Sequence, residues 1–158
     1  MDALELLATE IADLKRRMRQ LEAQERPRYA TAFFTPTFAG TITAGTYTYY
    51  SQMGQYQRIG DWCAFSLYLE IATITTPPTG ELRITGLPFV SPYFAALAVG
   101  YVNNLNLSTG CIQLAAYTQM NTNTVRIVEV FDAAPVGAYP AANLTPAGLL
   151  VAGAYALA

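Results

Sequence analysis

Leu4, Leu7, Ile11, Leu14, Met18 and Leu21 follow one another at spacings of 3, 4, 3, 4 and 3, three uninterrupted heptads that commit the opening segment to a helix with one apolar seam. The first 28 residues also carry 12 of the chain's 20 charged side chains. The other eight, Arg58, Asp61, Glu70, Glu81, Arg83, Arg126, Glu129 and Asp132, are spread over the remaining 130. So abrupt a break divides the chain into two unlike parts. Pro27 falls at the break, where a missing N–H and the bias against helix in the preceding residue favour a boundary. We expect a coiled-coil stalk over residues 1–27 and a single domain over 30–158. A length of 158 residues admits that arrangement and excludes two large globular units.

With Leu4, Ile11 and Met18 at a and Leu7, Leu14 and Leu21 at d, Glu10 and Arg17 fall at g, and Lys15 and Glu22 at e. In a parallel, in-register assembly Glu10 faces Lys15 and Arg17 faces Glu22, both pairs of opposite charge. Asp2 with Glu5 has the form of a capping box, and Asp13–Arg17 and Glu22–Arg26 are i,i+4 pairs with the acid first. The run Arg17-Met18-Arg19-Gln20-Leu21-Glu22 resembles the Arg-apolar-x-x-apolar-Glu motif of short three-stranded parallel coiled coils, which implies a homotrimer. A dimer fits less well, because no a position holds Asn and only Ile11 is β-branched. A lone amphipathic helix packed on its own domain would show the same apolar spacing, though not the complementary flanks. About 23 helical residues span on the order of 35 Å, and three heptads are marginal alone, so the second segment must help hold any assembly together.

From Ala30 onward helical periodicity stops, and Thr, Tyr, Val, Ile and Phe cluster in short runs broken by Gly, Pro and Asn. Strands are expected over 31–38, 46–53, 55–59, 62–72, 81–86, 94–103, 111–118, 124–131 and 148–157. Turn signals between them include Gly60-Asp61, Pro77-Pro78-Thr79-Gly80, Ser108-Thr109-Gly110 and Asn121-Thr122-Asn123. The fold class is therefore all-β, an antiparallel β-sandwich of jelly-roll type. Over 62–72, Cys63, Phe65, Leu67, Leu69 and Ile71 alternate with Trp62, Ala64, Ser66, Tyr68 and Glu70, so one face is core. Cys63 then reads as a small buried hydrophobe rather than half of a disulfide with Cys111. In the last run Leu149, Val151, Tyr155 and Leu157 alternate with Leu150, Ala152, Ala154, Ala156 and Ala158, apolar on both sides. That pattern predicts a strand buried on both faces, with Ala152, Ala154 and Ala156 joining Leu4, Leu7, Ile11, Leu14, Arg17, Met18, Leu21 and Glu22 in subunit contacts.

The chain has no histidine, which removes Ser-His-Asp and Cys-His nucleophile systems and every His-ligated metal site. Two cysteines 48 residues apart make neither a zinc site nor a disulfide scaffold, and the redox compartment stays open. A net charge of −2 gives no basis for nucleic-acid binding. Lys15-Arg16-Arg17-x-Arg19 is balanced by six acids in the same segment and reads as a solvated helix flank. MDALELLATE lacks the basic-then-apolar form of a signal peptide, so synthesis in the cytoplasm is expected. Residues 147–158, the longest uncharged apolar run, are too few to insert in a bilayer as a helix. Asp61, Glu70, Glu81, Glu129 and Asp132 are the carboxylates available to a glycosidase in the second segment, and nothing in their spacing pairs two of them. No P-loop, EF-hand or GxSxG pattern occurs. The expectation is no enzyme, no catalytic residue, no metal and no cofactor.

For recognition, Asn103, Asn104 and Asn106 beside Tyr101, and Gln119, Asn121 and Asn123 beside Tyr117, combine neutral hydrogen-bonding groups with aromatic rings. Such loops suit glycans or other uncharged surface polymers, and equally suit plain hairpin turns.

The succession Phe34-Thr35-Pro36-Thr37-Phe38-Ala39-Gly40, Ala44-Gly45-Thr46-Tyr47-Thr48-Tyr49, Gly54, Tyr56 and Arg58-Ile59-Gly60-Asp61, continued by Arg83-Ile84-Thr85-Gly86-Leu87-Pro88-Phe89, resembles a module of tailed-bacteriophage structural proteins. Residues 90–158 match it only in general style. The resemblance implies a trimeric β-sandwich head of the kind found on tail fibres and virion appendages, and it brings no catalytic signature. The matched residues have local roles instead: Gly45, Gly54 and Gly60 in turns or bulges, Tyr47, Tyr49 and Tyr56 in cross-strand packing, Arg58 with Asp61 bracing a turn. The expected function is a virion protein made in the host cytoplasm, a tail fibre or spike component contributing to host attachment. Its expected partners are other virion proteins at the N-terminal segment and a host surface glycan or envelope component. A capsid decoration protein without a host-binding role is the alternative, and a polymer-cleaving appendage enzyme a third.

Overall fold

The heptad segment forms a helix, α1, over Ala3–Gln24. The structure, a computed structural model, describes residues 3–24 and 29–157, with the backbone alone for residues 3, 4, 6 and 21–24. Leu7, Ile11, Leu14 and Met18 keep between 44% and 58% of their surface exposed, so the chain does not cover its own seam. Asp13 reaches Arg16 at 2.5 Å and Arg17 at 4.0 Å, the latter being the expected i,i+4 pair. The side chains of Leu4, Leu21 and Glu22, the Asp2 cap and the Glu22–Arg26 pair lie outside the described residues.

Beyond α1 the chain is built of antiparallel strands: β1 (Ala30–Phe34), β2 (Thr37–Gly40), β3 (Thr46–Ile59), β4 (Trp62–Thr76), β5 (Leu82–Thr85), β6 (Ala96–Asn103), β7 (Cys111–Thr118), β8 (Val125–Phe131), β9 (Gly137–Ala138) and β10 (Gly148–Ala156). Their hydrogen-bonded order is β1-β3-β4-β10-β6-β7-β8-β5-β2, with β9 paired to β8. The two ends of that path, β1 and β2, are consecutive in sequence and separated only by Thr35-Pro36. Three peptide units reach at most about 11 Å, so the sheet must curl until its ends meet. β6 provides the bend: residues 98–103 pair with β10, while Ala96 and Leu97 pair with β7. The curled sheet encloses one core. Cys63, Phe65, Leu67, Leu69 and Ile71 of β4 and Leu149, Val151 and Tyr155 of β10 share it with Phe38, Leu82, Ile84, Leu114, Val125 and Ile127 from the other half.

Two strand expectations are corrected. The run 31–38 is not one strand, because Pro36 cannot donate to a ladder; its halves become opposite ends of the sheet path. Gln52 secures the junction, its Nε2 donating to the Pro36 carbonyl at 2.9 Å and to Thr37 Oγ1 at 3.0 Å. The runs 46–53 and 55–59 are one strand, continuous through Gly54. Gly54 makes no turn: it lies beneath the Phe34 ring, where a Cβ would come within 2.4 Å of ring carbon. β10 is internal to the sheet, between β4 and β6, yet only its Leu149, Val151 and Tyr155 face is fully buried in the chain. Two-sided burial is not reached within one chain, since Ala154 is exposed and Ala152 and Ala156 are half-buried.

Other local readings are met. Gly60, at φ 59°, opens the two-residue turn between β3 and β4. Arg58 braces that turn by donating from Nε to the Gly60 carbonyl at 3.0 Å, with its guanidinium 5.2 Å from the Phe89 ring centre. Tyr47 packs on Phe38 and Tyr49, and Tyr56 packs on Phe34 and Phe89. Both cysteines are free, Cys63 buried and Cys111 half-buried, and burial raises the Cys63 thiol above its ordinary pKa.

Candidate functional site

The β6–β7 connection is fastened through its backbone and the Asn104 side chain, with Leu105 packed against the core and the Asn103 and Asn106 side chains exposed. Asn104 takes φ 57°, its Nδ2 donates to the Pro146 carbonyl at 2.8 Å, and Thr145 Oγ1 donates to the Asn104 carbonyl. The Tyr139 hydroxyl lies within hydrogen-bond reach of the Asn106 and Asn143 carbonyls, at 3.1 and 3.0 Å. Ser108 N–H donates at 2.7 Å to Oε1 of Glu129, a carboxylate on β8 that is 1% exposed. Burial first, and the Glu129 charge second, push the Tyr139 phenol well above its ordinary range. Glu129 was not singled out from sequence as a loop support. The available signal is its place in the strand Val125–Phe131, mostly β-branched and apolar apart from Arg126, because a carboxylate buried in such a strand needs a partner.

The β7–β8 connection is a tight turn of its own. Gln119 N–H donates to the Thr124 carbonyl at 3.0 Å, and Thr122 Oγ1 donates to the Gln119 carbonyl at 2.8 Å. Asn121, at φ 56°, donates its N–H to the Ser91 carbonyl at 2.7 Å, and the Asn123 carbonyl accepts from Leu87 N–H at 3.1 Å. The Asn121 and Asn123 side chains are exposed. Gln119 Oε1 is shielded and has no hydrogen-bond partner among the described residues.

These two groups are not brought together. They cap opposite ends of β7, whose eight residues separate them by roughly 23 Å. Asn103, Asn104 and Asn106 belong to one end, Gln119, Asn121 and Asn123 to the other. Tyr101 projects beside Tyr68, ring centres 6.2 Å apart, and Tyr117 meets Phe94 edge-on at 5.8 Å.

The expected contact residues Ala152, Ala154 and Ala156 lie opposite Ser66, Ala64 and Trp62 on the outward face of β4 and β10. Ile59 and Met53 of β3 and Phe33 of β1 extend that face, all exposed along with Trp62. An open depression lined by Gln55, Gln57, Ala64 and Ser66 runs across it. The result is a broad surface with large apolar groups around small ones. Sequence parity places Trp62 and the alanines of β10 opposite the core, and register with β3 and β1 adds Phe33, Met53 and Ile59 to the same patch.

The five carboxylates are dispersed. Glu81 engages Arg83 and Arg126, Glu129 holds the Ser108 amide, and Glu70 accepts from the Tyr68 hydroxyl at 3.1 Å. Asp61 sits in the β3–β4 turn, and Asp132 is exposed just beyond β8. Among the described residues no group of three His, Cys, Asp or Glu side chains is placed to hold a metal ion, and no helix is long and apolar enough to cross a membrane.

No protein-family model matches the chain, and no curated protein matches it. Among solved structures, the crystal structure of Dettilon tailspike protein (gp208) aligns with a TM-score of 0.68 and 22% identity. The alignment covers 81% of this chain and 24% of the tailspike chain. At that identity the likeness is one of fold, and the chain corresponds to about a quarter of the tailspike's length.

Proposed function

We propose that this protein is a bacteriophage virion component, a homotrimeric tail fibre or spike part that contributes to host attachment. The observation that carries this reading is the fold shared with a tailspike over 81% of the chain. The curled sheet is then a β-sandwich head of jelly-roll type over 30–158, and residues 1–27 a parallel three-stranded stalk that docks on other virion proteins. Two exposed apolar surfaces support the oligomer: the Leu7, Ile11, Leu14 and Met18 seam, and the outward face of β4 and β10. Either surface would be costly to leave in water, and three copies related by one axis can cover both. The head acts by binding rather than catalysis, with its five carboxylates engaged in or spread among structural contacts.

Labelling intact particles with an antibody to the chain tests the assignment. Label on the tail, together with loss of adsorption after joint Ala substitution of Asn103, Asn106, Asn121 and Asn123 in particles that still assemble, is the expected result. Label on the capsid with adsorption intact would identify a decoration protein instead. Shortening of a host polymer by the purified chain would move it to the enzymes.

A further inference from the structure

From residue 29 onward the chain has only three cations, Arg58, Arg83 and Arg126. Arg58 is committed to its turn and to Phe89. The other two are direct cross-strand partners, Arg83 of β5 opposite Arg126 of β8. Like charges in that position oppose each other and destabilise the pair unless an anion stands between them. Glu81 supplies one carboxylate, 2.7 Å from Arg126 but only 3.8 Å from Arg83. Two guanidinium groups thus share one acid. Nε of both arginines is shielded and has no hydrogen-bond partner among the described residues, while the side chains remain 28% and 29% exposed, so a ligand would meet the Nη ends of the two guanidinium groups.

Their surroundings are ordered across five strands. Register aligns Ala96, Tyr117, Arg126, Arg83 and Ala39 in one row over β6, β7, β8, β5 and β2. Their sequence neighbours Leu97, Thr118, Val125, Ile84 and Phe38 are buried, so the row faces outward. Tyr117 therefore stands next to Arg126 and one strand removed from Arg83, its ring edge-on to Phe94, with alanines at both ends of the row.

We propose that this row binds the carboxylate of an acidic saccharide, with Arg83 and Arg126 on the carboxylate and Tyr117 against the sugar ring. Arginine presents a planar fork that matches a carboxylate in two parallel bonds, and a single unmatched positive charge calls for one monovalent group. The Tyr117 ring offers an apolar face and a polar tip, which suits a polyhydroxylated ring. An acidic peptide fits less well, because β5, β7 and β8 are paired on both sides and offer no free edge for a peptide backbone. The site names a ligand class for the attachment reading and rests on that reading for its biological meaning.

The test is calorimetric titration of the full chain at low salt with a galacturonic acid oligomer, its carboxyl-reduced neutral counterpart and an acidic peptide of equal charge. Binding of the uronic oligomer alone, weakened at least about tenfold by Arg83→Gln and also weakened by Tyr117→Leu, is expected. The proposal is overturned by absence of binding to the folded wild-type chain, by equal binding of the neutral oligomer or the peptide, or by an Arg83→Gln protein of unchanged melting temperature that binds as before. Competition of the purified chain with particle adsorption separates the two readings. Blocked adsorption without uronate binding removes this site and leaves attachment standing, whereas uronate binding without any effect on adsorption keeps the site and removes attachment.

Discussion

Gly54 and Gly60 look alike in the sequence and do opposite things. A Cβ on Gly54 would meet three Phe34 ring carbons at 2.4 to 2.6 Å, and that ring is itself packed on Tyr56 and Phe65. Gly54→Ala should therefore cost about 1–3 kcal/mol, seen as a lower urea midpoint at unchanged slope; an unshifted midpoint would mean that the ring has room to move. Gly60 has open space around it and only a positive φ to satisfy, so Gly60→Asn should stay within about 0.5 kcal/mol. The buried tyrosines set a pH response. Burial, with neighbouring Tyr49 second, pushes Tyr47 from 10.0 up to about 12, and burial raises Tyr139 and Tyr155 further. A raised phenol pKa means that the folded state holds its proton while the unfolded chain releases it. Stability from these groups is complete below pH 10 and falls as pH rises from there through the folded values. Melting temperature should be flat with respect to these groups from neutral pH to about pH 9 and drop above pH 10. Full tyrosinate absorbance appearing at pH 10 in a still-folded protein would contradict this.

Among elements, α1 and the β1–β2 junction show how far pattern alone reaches. The heptads specify a helix whose seam stays uncovered in one chain. Ile11→Asp with Leu14→Asp should reduce the oligomer measured by light scattering while leaving the far-ultraviolet β signal of the head unchanged. A simultaneous collapse of the β signal would show that the helix is packed on its own domain. At the β1–β2 junction, Pro36 predicts an interruption from its missing N–H. Nothing local says that the residues on either side become the two ends of the sheet path.

At the scale of the molecule, the outward face of β4 and β10 is the surface most exposed to test. Ala154→Glu places a charge among Ala64, Ser66 and Trp62 without touching the core. If copies pack there, the variant should shift toward monomer in sedimentation with its monomer fold intact; an unchanged oligomer would locate the contact elsewhere.

Residue spacing was enough to read the helical opening, the β character of everything after Ala30, the core face of β4 and the small-residue face of β10. Each of these is written in spacing between near neighbours, which sterics and burial enforce locally. Three-dimensional packing was needed to show that β6 bends across both halves of the sheet, that the two amide-rich loops lie at opposite ends of β7, and that Arg83 stands opposite Arg126. Those facts depend on register between strands up to dozens of residues apart, and register is set by the fit of the whole core rather than by any residue's own preference.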